Sequence, residues 1–406
     1  MAHDACSRLP QEILDAIIDI VGVTSPRSEA FKDLISCSLV SRRFLPRTRH
    51  FLFEAIYLST PEEILSYHDM CLKNPIIPAS ARTLILDTRK LISNTFNDSP
   101  LISILQVTTN IETIAFHNVS WEELSPGLLC ALSRYPLKNL LLRNFTISSV
   151  SSFHSFIRNS ATRSLGRLGL YGSLKVLGSD DGDGGTEELA PAPTRPVLVK
   201  SLSVACSQKF QDTASTILFS PLSPFNFVGL IDTEVALCQD ADHDTPLPAQ
   251  DAICVLRDIV SASDPLVLAH INIWRSFQRA PPPSLLYLPS LRTLGFLLNN
   301  ASESLGFQPI SVLQWWIDVM MHSECYSLST LSITAIAARQ RWITDKDALT
   351  QWRRLDRELS SSRYDVQSVC IIFREDYFKR GCCRYGTIDS TKPEATLCFL
   401  CKQSSN

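Results

Sequence analysis

The stretch LPQEILDAIIDIV, residues 9–21, carries apolar residues at helical spacing. Positions 9, 13, 14, 17, 18 and 21 predict one amphipathic helix, with Pro10 in its opening turn, where a missing N–H costs nothing. A second stretch, LISCSLVSRRF at residues 34–44, continues an apolar set that begins at Phe31 and predicts a second short helix. A third helix follows to Phe53, basic on its outer side, with Pro46 in its first turns or at a kink.

Three short helices in about 45 residues cannot bury this much apolar surface among themselves. Some of the surface must therefore face a partner or the rest of the chain. If it faces the rest of the chain, the helices are an N-terminal cap on the domain that follows.

The two blocks together resemble an F-box, because LPQEIL at residues 9–14 is followed at a workable spacing by LISCSLVSRRF. The resemblance covers roughly the first 55 residues, and we place the F-box-like helical module at residues 1–60. A polar insert at residues 22–32 is longer than in the tightest family members. It implies docking on the Skp-family adaptor of a cullin-RING ubiquitin ligase. By this resemblance the residues that contact the adaptor, or support the contacts, are Leu9, Pro10, Ile13, Leu14, Ile17, Leu39, Val40 and Phe44.

With 45% hydrophobic and 19% charged residues, the chain has the composition of a folded protein. Its 406 residues exceed the usual length of one domain. A net charge of −3 and scattered basic residues argue against a nucleic-acid partner. Neither a signal-peptide pattern nor a membrane-spanning apolar run is present, so we expect a cytoplasmic or nuclear protein with no membrane partner. The 13 cysteines then predict reduced thiols.

A short strand pattern recurs after Phe53, and alternate residues of each copy are apolar. Leu84, Ile114, Leu140 and Leu168 follow one another at about 30, 26 and 28 residues, within the upper range of leucine-rich repeats, and later intervals widen to about 37. Helical patterns lie between the strands. The copies are residues 82–86, 112–116, 138–142, 166–170, 200–204, 270–273, 292–296, 328–333 and 366–371.

Alternating strands and helices predict an α/β fold over residues 61–380. The pattern is similar to an irregular leucine-rich-repeat array, although no asparagine ladder stands at the usual place. We therefore predict a three-helix F-box followed by a leucine-rich-repeat-like α/β solenoid; an ordinary α/β domain is the alternative. The whole layout resembles the fungal-type F-box proteins of mushroom-forming fungi.

Two segments differ from this pattern. Residues 178–196 combine glycine, acidic residues and proline, which predicts a flexible surface loop. A calcium-binding loop is not favoured, because the regular spacing of its oxygen ligands is not met. Residues 381–406 form a C-terminal tail with Cys382, Cys383, Cys398 and Cys401. Reduced thiols are favoured there over a zinc site, because two adjacent cysteines hinder tetrahedral coordination.

The sequence carries no catalytic motif, so we expect no enzyme, metal or cofactor. The F-box resemblance implies a substrate-recognition adaptor, and a repeat scaffold that uses its helices only as a cap is the alternative. One column of the predicted strands would face an unknown target protein, since aromatic residues and arginine dominate binding energy; chance placement is the other explanation. In chain order the column is Asp87, His117, Arg143, Tyr171, Ala205, Trp274 and Leu297; Ala205 and Leu297 are not counted as target-binding residues.

Overall fold

Strands and helices alternate along most of the chain in the computed structural model. It describes residues 9–24, 27–90, 98–176, 195–206, 214, 217–220, 222–237, 252–274, 285–299, 309–336, 346–361, 363–374 and 395–400. The helices are α1 Gln11–Thr24, α2 Arg27–Val40, α3 Leu45–Glu54, α4 Pro61–Lys73, α5 Ile76–Ser80, α6 Ser99–Val107, α7 Pro126–Ser133, α8 Val150–Asn159, α9 Ala252–Ala262, α10 Pro309–Ser323 and α11 Lys346–Leu359. The strands are β1 Ala55–Leu58, β2 Thr83–Asp87, β3 Thr113–His117, β4 Asn139–Ile147, β5 Ser164–Leu165, β6 Arg167–Val176, β7 Val197–Val199, β8 Ser201–Cys206, β9 Phe225–Asn226, β10 Asp232–Leu237, β11 His270–Trp274, β12 Thr293–Asn299, β13 Thr330–Ile336, β14 Ser368–Arg374 and β15 Ala395–Leu400.

The large sheet has 12 strands whose order follows the chain, with β5, β7 and β9 left out. Its first 11 strands are parallel and alternate with helices, whereas β15 is antiparallel to β14. The strands β5, β7 and β9 form a second, parallel sheet of three strands. Since parallel neighbours require a crossover connection, this arrangement confirms the predicted α/β class.

The chain divides into two compact units, residues 1–140 and 141–406. The division falls inside β4. The boundary predicted at residue 60 lies within the first unit, which also holds the helices α1–α7 and the strands β1–β3.

The helices α1–α3 of the first unit pack around a small apolar core made by Leu14, Ile18, Leu34 and Phe44. The second helix begins at Arg27, four residues before the predicted start at Phe31. The third begins at Leu45, and Pro46 lies in its first turn, as expected. These helices continue directly into the edge strand β1.

Local sequence signals fix the helix that follows β1. Thr60 accepts a hydrogen bond from the backbone N–H of Glu63, and the Glu63 carboxylate accepts one from the N–H of Thr60. This reciprocal cap satisfies two N–H groups that a helix terminus leaves free. Pro61 at the first helical position and this cap together fix the start of the helix.

The strands of the second unit stack equivalent apolar residues in register. Leu168 lies beside Leu202 on β8, and along the sheet Leu294 lies beside Leu331 on β13. The strand β10 was not predicted, because Thr233 stands where the other strands have an aliphatic residue. The segment 395–400, predicted as part of a tail, is the strand β15.

Several predicted features lie outside the described residues. They are residues 178–194 of the predicted loop, and Cys382, Cys383 and Cys401. Within the described part of the chain, no helix is both long and apolar enough to span a membrane.

Candidate binding surfaces

Two helices of the first unit expose apolar side chains to solvent. On α1 these are Ile13 and Ile17, preceded by Leu9, and at the end of α2 they are Leu39 and Val40, with Leu39 82% exposed. A contiguous patch of exposed aliphatic residues is typical of an interaction surface. The same helices also expose residues that the sequence reasoning did not select, namely Ile20, Phe31 and Ile35.

Two residues of the predicted adaptor-binding set lie in the helical core, where they can support the contacts to a partner but not make them. Leu14 is fully buried and Phe44 nearly so, and both belong to the helical core cluster. Their side chains can hold the helices together but cannot contact a partner in this arrangement. The helical period explains the difference, because positions 13 and 14 are about 100° apart around α1.

Arginine side chains fix the geometry of the exposed face. The Arg43 guanidinium donates to the carbonyl oxygen of Leu9 at 2.8 Å, and Gln11 Nε2 donates to the carbonyl oxygen of Arg43 at 2.9 Å. Arg47 pairs with Asp19 through two hydrogen bonds and lies over the Phe51 ring, 5.4 Å from its centroid. The hydrogen bond from Arg47 lowers the pKa of Asp19. The start of α1 is thus tied to the loop before α3.

The strand register aligns the predicted target-binding column within each unit. Asp87 on β2 lies beside His117 on β3. In the second unit, Tyr171 lies beside Ala205, Ala205 beside Ala236, and Ala236 beside Trp274. For these strands the sequence reasoning aligned the residues that the register aligns, and it missed Ala236, the β10 member. The side chain of Trp274 lies outside the described part of the structure.

The expectation that this whole column is open to a partner is wrong. Asp87, Ala205 and Leu297 are buried, and the side chains of His117, Arg143 and Tyr171 are half-buried. Alternation along a strand separates the two faces of a sheet, but it does not determine what covers the ends of the strands.

Asp87 is the clearest case, because its carboxylate is enclosed by donors. Tyr57 Oη donates at 2.9 Å, Asn118 Nδ2 at 3.1 Å and the Arg89 guanidinium at 2.9 Å. Burial alone would raise the pKa of Asp87, but these hydrogen bonds outweigh it and lower the pKa to about 2. A charged group satisfied in this way holds β1, β2 and the end of β3 together and has little capacity left for a ligand.

A polar cluster lies in the second unit, nearer to the start of the strands. The Arg167 guanidinium donates to Ser203 Oγ at 3.1 Å, to Tyr171 Oη at 2.9 Å and to the Glu234 carboxylate at 3.2 Å. Ser203 also donates to Glu234 at 3.2 Å. Arg167 is exposed and Glu234 is half-buried, so this cluster, which we call the Arg167 cluster, is accessible from solvent.

A glycine makes room for the aromatic member of the Arg167 cluster. A Cβ atom on Gly169 would lie 2.5 Å from the Tyr171 ring and 2.8 Å from Leu141. The Tyr171 ring therefore lies over Gly169 of its own strand, where its hydroxyl accepts a hydrogen bond from Arg167. Sequence reasoning found Tyr171 but missed Arg167, Ser203 and Glu234; the available signal was that polar residues alternate with the apolar ones in β6, β8 and β10.

No group of three or more potential metal ligands occurs among the described residues. Burial raises the pKa of the buried Cys325 thiol to about 11. One described hydroxyl lies beside an imidazole, since Ser103 Oγ and His68 Nε2 are 2.9 Å apart.

No family model matches the chain. No curated protein matches it either.

Proposed function

We propose that this protein is a substrate-recognition adaptor of a Skp-cullin-F-box ubiquitin ligase, without catalytic activity of its own. The observation that carries the proposal is the exposed apolar face of α1 and α2, formed by Leu9, Ile13, Ile17, Leu39 and Val40 above a closed helical core. Such side chains bind a partner because burial of their apolar surface is favourable. Each Å² removed from water contributes about 25 cal/mol of free energy.

The parallel sheet supports the second half of the proposal. Short strands in chain order, with equivalent apolar residues in register, are what a leucine-rich-repeat-like solenoid requires. In this proposal the strand face of the second unit recognises the target protein. The Arg167 cluster lies there, and it offers an arginine and an aromatic ring, the residue types that most often dominate interfaces.

The test is binding to a purified Skp-family adaptor by a pull-down and by calorimetry. A Leu39→Ala, Val40→Ala double variant removes apolar surface from an exposed position, so the fold should be unchanged. Truncation of interface anchors typically costs about 2 kcal/mol, a roughly 30-fold weaker Kd. Leu72→Ala on α4 is the matched control, because this leucine is equally apolar and is 67% exposed.

Adaptor binding of equal strength by the double variant and the control would contradict the proposed interface. A folded wild-type chain that binds no Skp-family adaptor would contradict the proposed function.

A second candidate function is a non-catalytic repeat scaffold whose N-terminal helices serve only as a cap. The observation in its favour is that α3 continues directly into β1 and that both belong to one compact unit. Absence of adaptor binding together with a native circular dichroism spectrum would favour this candidate.

A further inference from the structure

The last two strands of the large sheet place two cysteines opposite each other. β14 and β15 are antiparallel, and Cys370 is the register partner of Cys398. The neighbouring pairs, Val369 with Phe399 and Ile371 with Leu397, keep the same register on both sides. On the other side of β14, Cys370 has Ser332 as its partner, so no other cysteine adjoins it across that strand pair.

This register places the two cysteines at a Cα separation that suits a disulfide. Directly opposed residues of an antiparallel pair have Cα atoms about 4.5–5.5 Å apart and lie on the same face of the sheet. Disulfides span Cα–Cα distances of about 4.4–6.8 Å. The typical Cα separation of a directly opposed pair therefore lies within the range that a disulfide spans.

We propose that Cys370 and Cys398 form a reversible disulfide that fastens β15 to β14 when the chain meets an oxidant such as glutathione disulfide. One cysteine thiolate attacks glutathione disulfide and releases one glutathione thiolate. The second cysteine thiolate attacks the mixed disulfide and releases another. The protein thus loses two electrons and two protons, and one glutathione disulfide becomes two glutathione molecules.

The inference is independent of the proposed ubiquitin-ligase function. The proposed disulfide is compatible with the expected reduced thiols, because it forms only on oxidation. Disulfides of proteins in reducing compartments are typically transient and redox-sensing.

Peptide mapping of the full chain tests the proposal. The chain is incubated with glutathione disulfide, remaining thiols are blocked with N-ethylmaleimide, and trypsin is added without reductant. Trypsin releases Cys370 in the peptide 364–374 and Cys398 in the peptide 385–402. We expect these two peptides to be joined, and dithiothreitol to separate them.

Single variants identify the sulfur atoms. The second peptide also contains Cys401, so the linkage must persist in Cys401→Ser and disappear in Cys398→Ser and Cys370→Ser. Cys130→Ser is the control for an exposed cysteine on α7 and must leave the linkage unchanged. Cys370 blocked by N-ethylmaleimide in the oxidised wild-type chain, or joined to any other cysteine, would overturn the proposal.

Discussion

Replacing Asp87 by asparagine distinguishes a structural role from the target-binding role predicted from the sequence. The substitution keeps the size of the side chain but removes the negative charge that faces Tyr57, Arg89 and Asn118. If the carboxylate holds the strand ends together, the variant loses stability. If it serves a partner, stability is unaffected and only binding changes.

The pKa of Asp87 sets the size of the effect. It is about 2 in the folded chain, against 3.8 for an ordinary aspartate. Each pKa unit corresponds to about 1.4 kcal/mol, so the charged carboxylate contributes on the order of 2 kcal/mol at neutral pH. Solvent screening reduces this little, because the side chain is only 5% exposed.

The pH dependence follows from the direction of the shift. A depressed folded pKa means that the unfolded chain takes up a proton first as the pH falls. The contribution is therefore complete above about pH 4 and is lost towards pH 2, and at pH 3 it should be smaller by about 1 kcal/mol.

Urea denaturation followed by circular dichroism measures the difference. We expect Asp87→Asn to be less stable than wild type by about 2 kcal/mol at pH 7, and by roughly 1 kcal/mol less than that at pH 3. Asp69→Asn is the control, because the Asp69–Lys73 pair on α4 is exposed and such pairs contribute little. Equal midpoints for wild type and Asp87→Asn at pH 7, or a difference that does not change with pH, would refute the reasoning.

Three further predictions concern stability. Leu14→Ala should lower the free energy of unfolding by about 2–5 kcal/mol in urea denaturation, since Leu14 is fully buried, and a loss below about 1 kcal/mol would argue against the core position. Gly172→Ala should be destabilised by more than about 1 kcal/mol, because Gly172 has a φ of +76° and the new Cβ would lie 2.1 Å from Asn144 Oδ1; an unchanged melting temperature would contradict this. Burial lowers the pKa of His154, whose Nε2 donates to the carbonyl oxygen of Ile217 at 2.9 Å. Wild type should therefore lose stability as the pH falls below about 6.5, and His154→Gln should lose less. Parallel curves of stability against pH for the two proteins would count against this role of His154.

The sequence by itself determined the elements with strong periodicity. The spacing of apolar residues predicted α1, and the alternation in residues 82–86 predicted the strand β2. It also aligned Asp87 with His117, because equivalent residues of consecutive parallel strands occupy equivalent positions. These features depend on local pattern, which any single stretch of the chain carries.

Burial and partner choice were decided only by the tertiary structure. Which side of α1 is exposed depends on the packing of Leu34 and Phe44 against it. Asp87 is buried because Tyr57 and Asn118, distant in sequence, meet at its carboxylate. No local pattern encodes these contacts, since they arise when separate strands are brought together by the sheet.

The strands β10 and β15 are elements that the sequence pattern did not predict and that pairing with neighbouring strands established. A threonine at a core position weakened the pattern of β10, yet its neighbours β8 and β11 provide parallel backbone partners on both sides. β15 has only β14 beside it, in the antiparallel direction that a repeat pattern does not predict. Hydrogen bonding between strands, which is not a property of either strand alone, therefore decided the final membership of the sheet.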